Sequence, residues 1–101
     1  VRRIDNPSIL GQTLSKGDID SSEEEKLYAL LEEDDKFNIA FVQEYIFRKA
    51  FNNEEWIKYL VKKAQSENWP DLKVVNCFIA FPSPFRGIWY IFLFCFMFFT
   101  V

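Results

Sequence analysis

The chain contains no histidine. That absence removes imidazole acid–base chemistry, the Ser-His-Asp triad and every histidine-ligated metal site. Cysteine is also scarce. Cys77 and Cys95 are the only two, both in apolar surroundings and without a CxxC spacing. They read as buried reduced thiols, since a disulfide scaffold needs more cysteines and a zinc site needs four ligands. The three glycines, Gly11, Gly17 and Gly87, stand too far apart to build a phosphate-cradling loop. Asp18, Asp20 and Ser22 open like a calcium loop. However, Glu23 stands where that loop requires glycine, and Ala29 where it requires glutamate. Asn6-Pro7-Ser8 is no glycosylation acceptor, because proline occupies the middle position. No catalytic residue, cofactor, metal or small-molecule substrate is inferred, and a non-enzymatic protein is expected.

Charge is present but unevenly spread. The net charge of −3 conceals an acidic front, −6 over residues 1–35, followed by +2 over 36–69 and +1 over 70–101. Phosphate binding needs clustered Lys and Arg, so such a front is a poor nucleic-acid surface. The acid cluster Glu32-Glu33-Asp34-Asp35 reads as a solvated helix end, and Lys58, Lys62 and Lys63 as an exposed helix face. The chain opens on Val1 and its one methionine is Met97, which reads as a fragment, a processed product or an incomplete gene model.

The sequence is rich in phenylalanine, with twelve among 101 residues. Ile88 to Phe99 is unbroken apolar sequence, IWYIFLFCFMFF, and Arg86 is the last charge before it. As a helix, Gly87–Val101 would reach about 22 Å at 1.5 Å per residue. A bilayer core of roughly 30 Å usually takes about 20 apolar residues. Three readings compete: a membrane-spanning or membrane-associated tail, a strand or helix buried in a globular core (as a strand, pairing with an earlier one), or a mispredicted end. In the membrane reading, Arg86 and Lys73 favour a cytosolic N-terminal side, with Trp89 and Tyr90 near the interface. Trp89, Tyr90, Phe92, Phe94, Phe96 and Phe98 are then the membrane- or partner-contacting residues.

Before that run the sequence divides into segments. Residues 1–20 read as a polar, partly disordered arm punctuated by Asn6-Pro7, Gly11 and Gly17. A helical domain over 21–69 follows. Its first helix starts near Ser21–Ser22, where Ser22 and Glu25 have capping-box spacing, and buries Leu27, Leu30 and Leu31. Asp34 or Asp35 caps the next helix. Residues 36–51 are apolar almost all round, which predicts a central helix covered on several sides. Residues 53–67 form the cleanest amphipathic pattern. Asn52 or Asn53 caps it, and Trp56, Ile57, Leu60, Val61 and Ala64 share one face. Residues 70–87 read as a strand over 72–81, LKVVNCFIAF, and a Pro-rich linker. The expected fold is mainly α: a small three-helix domain with one short strand and an apolar C-terminal segment over 88–101.

Tyr45-Ile46-Phe47-Arg48-Lys49-Ala50-Phe51, followed by Trp56-Ile57-Lys58-Tyr59-Leu60, resembles the junction between half-TPR (HAT) helical repeats. There an aromatic–Arg–x–Ala helix end leads into a W-x-x-Y helix start. The linker here is shorter than that family's, and no second repeat is visible. The resemblance implies a helical hairpin used for protein–protein packing, with Trp56, Tyr59 and Leu60 as a possible partner face.

Two functions follow as expectations. The first is a small membrane-associated protein whose acidic helical part faces the cytosol at an intracellular membrane, with a C-terminal hydrophobic anchor and the lipid bilayer as partner. The alternative is a cytoplasmic fragment of a helical protein–protein interaction module, with the apolar run buried in a core or misassigned.

Overall fold

The computed structural model describes residues 6–82. These form five helices: α1 (Pro7–Ser15), α2 (Ser21–Ala29), α3 (Lys36–Ala50), α4 (Glu54–Ser66) and α5 (Asp71–Phe78). A short 3-10 turn, Leu30–Glu32, extends α2. The mainly helical class agrees with the sequence pattern. The helix number does not, and no strand occurs among the described residues.

The strand expected at 72–81 is helix α5. Its β-branched residues suggested an extended segment, but Val74, Cys77 and Phe78 stand at i, i+3 and i+4 within the helix, and all three are buried. That spacing places them on one helical face, and burial of the face overrides local β preference. Asp71 sits in the first turn, where its charge suits the helix dipole. Asn76 fastens the helix in place: its amide donates to the Leu31 carbonyl at 2.8 Å, and its own carbonyl accepts from Gln43 at 3.0 Å.

The described part of the arm expected at 1–20 is also largely helical. Asn6-Pro7, read as punctuation, starts α1. The Asn6 side chain accepts from the Ser8 and Ile9 amides, and Pro7 takes the first helical position. Gly11 lets α1 press against α3. A Cβ at Gly11 would lie 2.5 Å from the Phe41 carbonyl oxygen and 2.9 Å from the Tyr45 nitrogen.

Caps set the remaining boundaries. Asp20, not Ser21 or Ser22, caps α2 by accepting from the Glu23 amide at 2.9 Å, and the Ser22 hydroxyl donates to the same carboxylate. Of the two candidates at each start, Asp35 and not Asp34 caps α3, and Asn53 and not Asn52 caps α4. Asn52 (φ 53°) and Asn68 (φ 57°) adopt the left-handed conformation just after α3 and α4, which asparagine tolerates better than most residues.

Helix α3 is the hub. It contacts α1, α4, α5 and the 3-10 turn. Val42, Tyr45, Ile46 and Ala50 are buried on it, beside Leu27, Tyr28 and Leu31 from α2 and its turn, Ile57, Leu60, Val61 and Ala64 from α4, and the apolar face of α5.

Candidate functional site

The residues expected to face a partner separate in three dimensions. Leu60 is 0% exposed and lies in the core, so it is not part of a contact face. Trp56 is half-buried and packs edge-on against Tyr45, with ring centroids 6.3 Å apart. Tyr59 is 44% exposed, and its hydroxyl is committed within the fold. The stretch that resembles a half-TPR junction is the α3–α4 hairpin, in which Tyr45 is buried, Phe47 and Trp56 are half-buried, and Phe51 and Tyr59 are exposed. Trp89, Tyr90, Phe92, Phe94, Phe96 and Phe98 lie outside the described residues.

A polar seam joins α2 to α4 and α5. The Glu24 carboxylate accepts from the Tyr28 hydroxyl at 3.1 Å and from the Tyr59 hydroxyl at 2.9 Å. Burial first, and then this carboxylate, push the Tyr28 phenol far above its ordinary pKa. Burial raises Tyr45 to about 12, and burial with the Glu24 bond raises Tyr59. All three phenols therefore stay neutral at physiological pH, and those of Tyr28 and Tyr59 serve as donors to Glu24. One turn along, the Lys63 ammonium bridges Glu25 at 2.5 Å and Glu67 at 2.7 Å. Partial burial works against its charge, but the two carboxylates outweigh that and raise its pKa. The Lys63 and Trp69 bonds lower the Glu67 pKa.

Trp69 is buried and packs against Tyr28 at 5.4 Å, while its indole N–H donates to Glu67 at 3.0 Å. The Lys73 ammonium lies 4.4 Å from the centroid of the same ring and 3.5 Å from Glu32. At 7% exposure, Lys73 is part of the helical body.

The acidic cluster is likewise engaged in the fold. Glu32 pairs with Lys73, Glu33 accepts from the Asn38 side-chain amide at 3.3 Å, and Asp35 caps α3. Lys63, expected on a free helix face, is the bridge of the seam. Among the described residues, no group of acids and cysteines is arranged to hold a metal ion. Cys77 is a free thiol sealed in the core, and burial raises its pKa well above the ordinary thiol range. A thiol held protonated in this way is a poor nucleophile.

Open surface lies elsewhere. A groove of about 400 Å³ is lined by Leu14, Ile19, Glu23, Lys26, Leu27 and Leu30. A second, of about 330 Å³, lies between α1 and the end of α3, lined by Gln12, Ser15, Lys16, Phe47, Arg48 and Phe51. Phe51 is 59% exposed, the most of the large apolar residues exposed among those described. The sequence pattern counted Phe51 with the covered face of α3. Asn52 was the signal to the contrary, because a residue that turns the chain leaves its predecessor at the helix end.

Comparison with protein-family models, with curated proteins and with solved structures gives no match.

Proposed function

We propose that this is a non-enzymatic, membrane-associated protein in which the acidic helical body faces the cytosol and residues 88–101 form a hydrophobic anchor. The observation that carries this reading is the terminal run itself, twelve consecutive apolar residues from Ile88 to Phe99. The fold adds support: within residues 27–81 the helices already supply a core of large side chains that pack on one another. Among the described residues, no helix is long and apolar enough to cross a membrane, so the anchor rests on the terminal segment.

The second reading is a helical protein–protein interaction module. Its support is the pair of open grooves beside α1 and the exposed rings of Phe37, Phe51 and Tyr59.

Carbonate extraction of membranes separates the two when the full chain is run beside a chain ending at Arg86. The anchor reading expects the full chain in the membrane pellet and the shortened chain soluble, with helical circular dichroism. A soluble full chain with an unfolded shortened form would overturn it and place the run in a core. About ten large apolar side chains at roughly 1.5–3 kcal/mol each exceed the whole stability of a typical domain.

A further inference from the structure

We propose that α1 is a detachable strap: it lifts from α3 as one unit, hinged at residues 16–18, while α2 to α5 stay folded, and so uncovers the turn of α3 on which Gly11 sits. This inference goes beyond the membrane-associated reading and does not depend on the anchor.

The core is complete without α1. Every buried member of the apolar cluster lies between Leu27 and Phe81, and α1 adds only Leu14, half-buried at the edge. Gly11, which has no side chain, is the one buried residue of α1. Ile9 is 51% exposed and Leu10 half-buried. A helix that buries so little apolar side chain belongs to the low-stability end of a fold. Its polar groups do not fasten it either. The Asn6 side chain accepts from the Ser8 amide, the Thr13 hydroxyl donates to the Ile9 carbonyl at 2.9 Å, and the Ser15 hydroxyl donates to the Gln12 carbonyl at 2.7 Å. All of these stay within the helix and its cap. Among the described residues, no side-chain hydrogen bond or ion pair joins α1 to another helix. By contrast, Glu24 and Glu25 of α2 bond Tyr59 and Lys63 of α4, and Asn76 of α5 bonds the Leu31 carbonyl.

The link between α1 and the body has the features of a hinge. Lys16, Gly17 and Asp18 are exposed, and a Cβ at Gly17 would meet nothing within 4 Å. Glycine there widens the backbone angles open to the chain. The fixed body resumes at once: Ile19 packs against the core and Asp20 caps α2. What holds α1 down is the close approach at Gly11, which stands over the Phe41 carbonyl, the Glu44 Cβ and the Tyr45 nitrogen. That contact depends on a hydrogen in place of a side chain, so it is shape-specific and carries little apolar area. Phe41 is half-buried and the Glu44 side chain is 21% exposed. Closed, α1 covers this turn of α3; open, it presents the turn to solvent while the core beneath is kept by α2, α4 and α5.

Amide hydrogen exchange of the full chain, followed at increasing urea, tests the strap. The hydrogen-bonded amides from Leu10 to Gly17 should exchange about a hundredfold faster than those of α4. They should share one rate and depend little on urea, because the opening exposes little surface. Equal protection in α1 and α4 would overturn the proposal, and so would a graded rate along α1, which marks fraying from its end. The variant Gly11→Glu holds the strap open, since its side chain collides with α3 backbone and sets a like charge beside Glu44. Protection over residues 10–17 should then be lost, while α3, α4 and α5 keep theirs and carbodiimide labelling of Glu44 rises severalfold. A variant unprotected throughout would show that α1 is integral to the body, and one whose α1 stays protected, or whose Glu44 labels no faster, would show that α1 is no cover. Any of these results sinks the proposal.

Discussion

Tyr59 and Leu60 are neighbours in the chain, yet α4 sends them to opposite environments. Tyr59 ties its hydroxyl to Glu24 at the surface, and Leu60 fills the core. Leu60→Ala should therefore cost stability of about 2–5 kcal/mol, from lost transfer energy and the cavity left behind. Urea denaturation of the variant measures it. A loss below about 0.5 kcal/mol would be that of a surface residue and would return Leu60 to a contact face. The i, i+4, i+8 spacing of Trp56, Leu60 and Ala64 was legible in the sequence. Which member of the stripe faced inward most completely was not, because Trp56 and Tyr59 are large amphipathic rings able to lie at an edge.

At the scale of elements, α1 and α5 show where local reading stops. Both are short, nine and eight residues, and isolated helices of that length are marginal in water. Each depends on docking. For α1 the docking contact is the close approach at Gly11. Gly11→Ala gains helix propensity of roughly 1 kcal/mol but drives a methyl group against the Phe41 carbonyl and the Tyr45 amide. These are backbone atoms of a packed helix and cannot swing aside, so overpacking of about 1–3 kcal/mol should prevail. The expected result is a lower melting temperature with faster amide exchange in residues 7–15. A raised melting temperature would show that α1 does not sit closely on α3. For α5 the decisive contacts are the buried face and the Asn76 ties to α3 and the turn after α2. They come from residues 33 and 45 positions away, which a window of ten residues does not contain.

At the scale of the whole molecule, stability should respond asymmetrically to pH. Tyr28, Tyr45, Tyr59 and Lys63 all have raised pKa values in the fold. A raised group contributes stability below its unfolded pKa, and that contribution is lost as pH rises through the folded value. The ordinary values are 10.0 for tyrosine and 10.5 for lysine, so melting temperature should fall progressively above about pH 10. Asp20 and Glu67 have lowered values, from ordinary values of 3.8 and 4.5. Their contribution is present above those values and lost as pH falls below them, but both groups lie at the surface, where solvent screening keeps the effect small. The expectation is a plateau near neutrality, a shallow acid limb and a steeper alkaline limb, read by thermal denaturation across pH. Tyr59→Phe, which removes the exposed phenol, should flatten part of the alkaline limb. An alkaline limb no steeper than the acid one would show that the buried phenols do not dominate the titration.

Several properties were determined by the sequence itself, because they depend on neighbours within one or two turns. The absence of histidine removed imidazole chemistry. The pairs Asp34-Asp35 and Asn52-Asn53 marked helix starts to within one residue, through side chains that reach only their own first turn. The alternation of buried and exposed residues in 53–67 gave α4 its face, and the near-continuous apolarity of 36–51 announced a helix covered on several sides. Tertiary structure decided the rest. It made a helix of 71–78 despite its β-branched residues and a helix of 7–15 despite Gly11. It also placed the Lys73 charge over Trp69 beside Glu32. In each case the deciding energy came from surfaces distant in sequence, and burial against a distant partner exceeds the few tenths of a kcal/mol that separate helix from strand at a single residue.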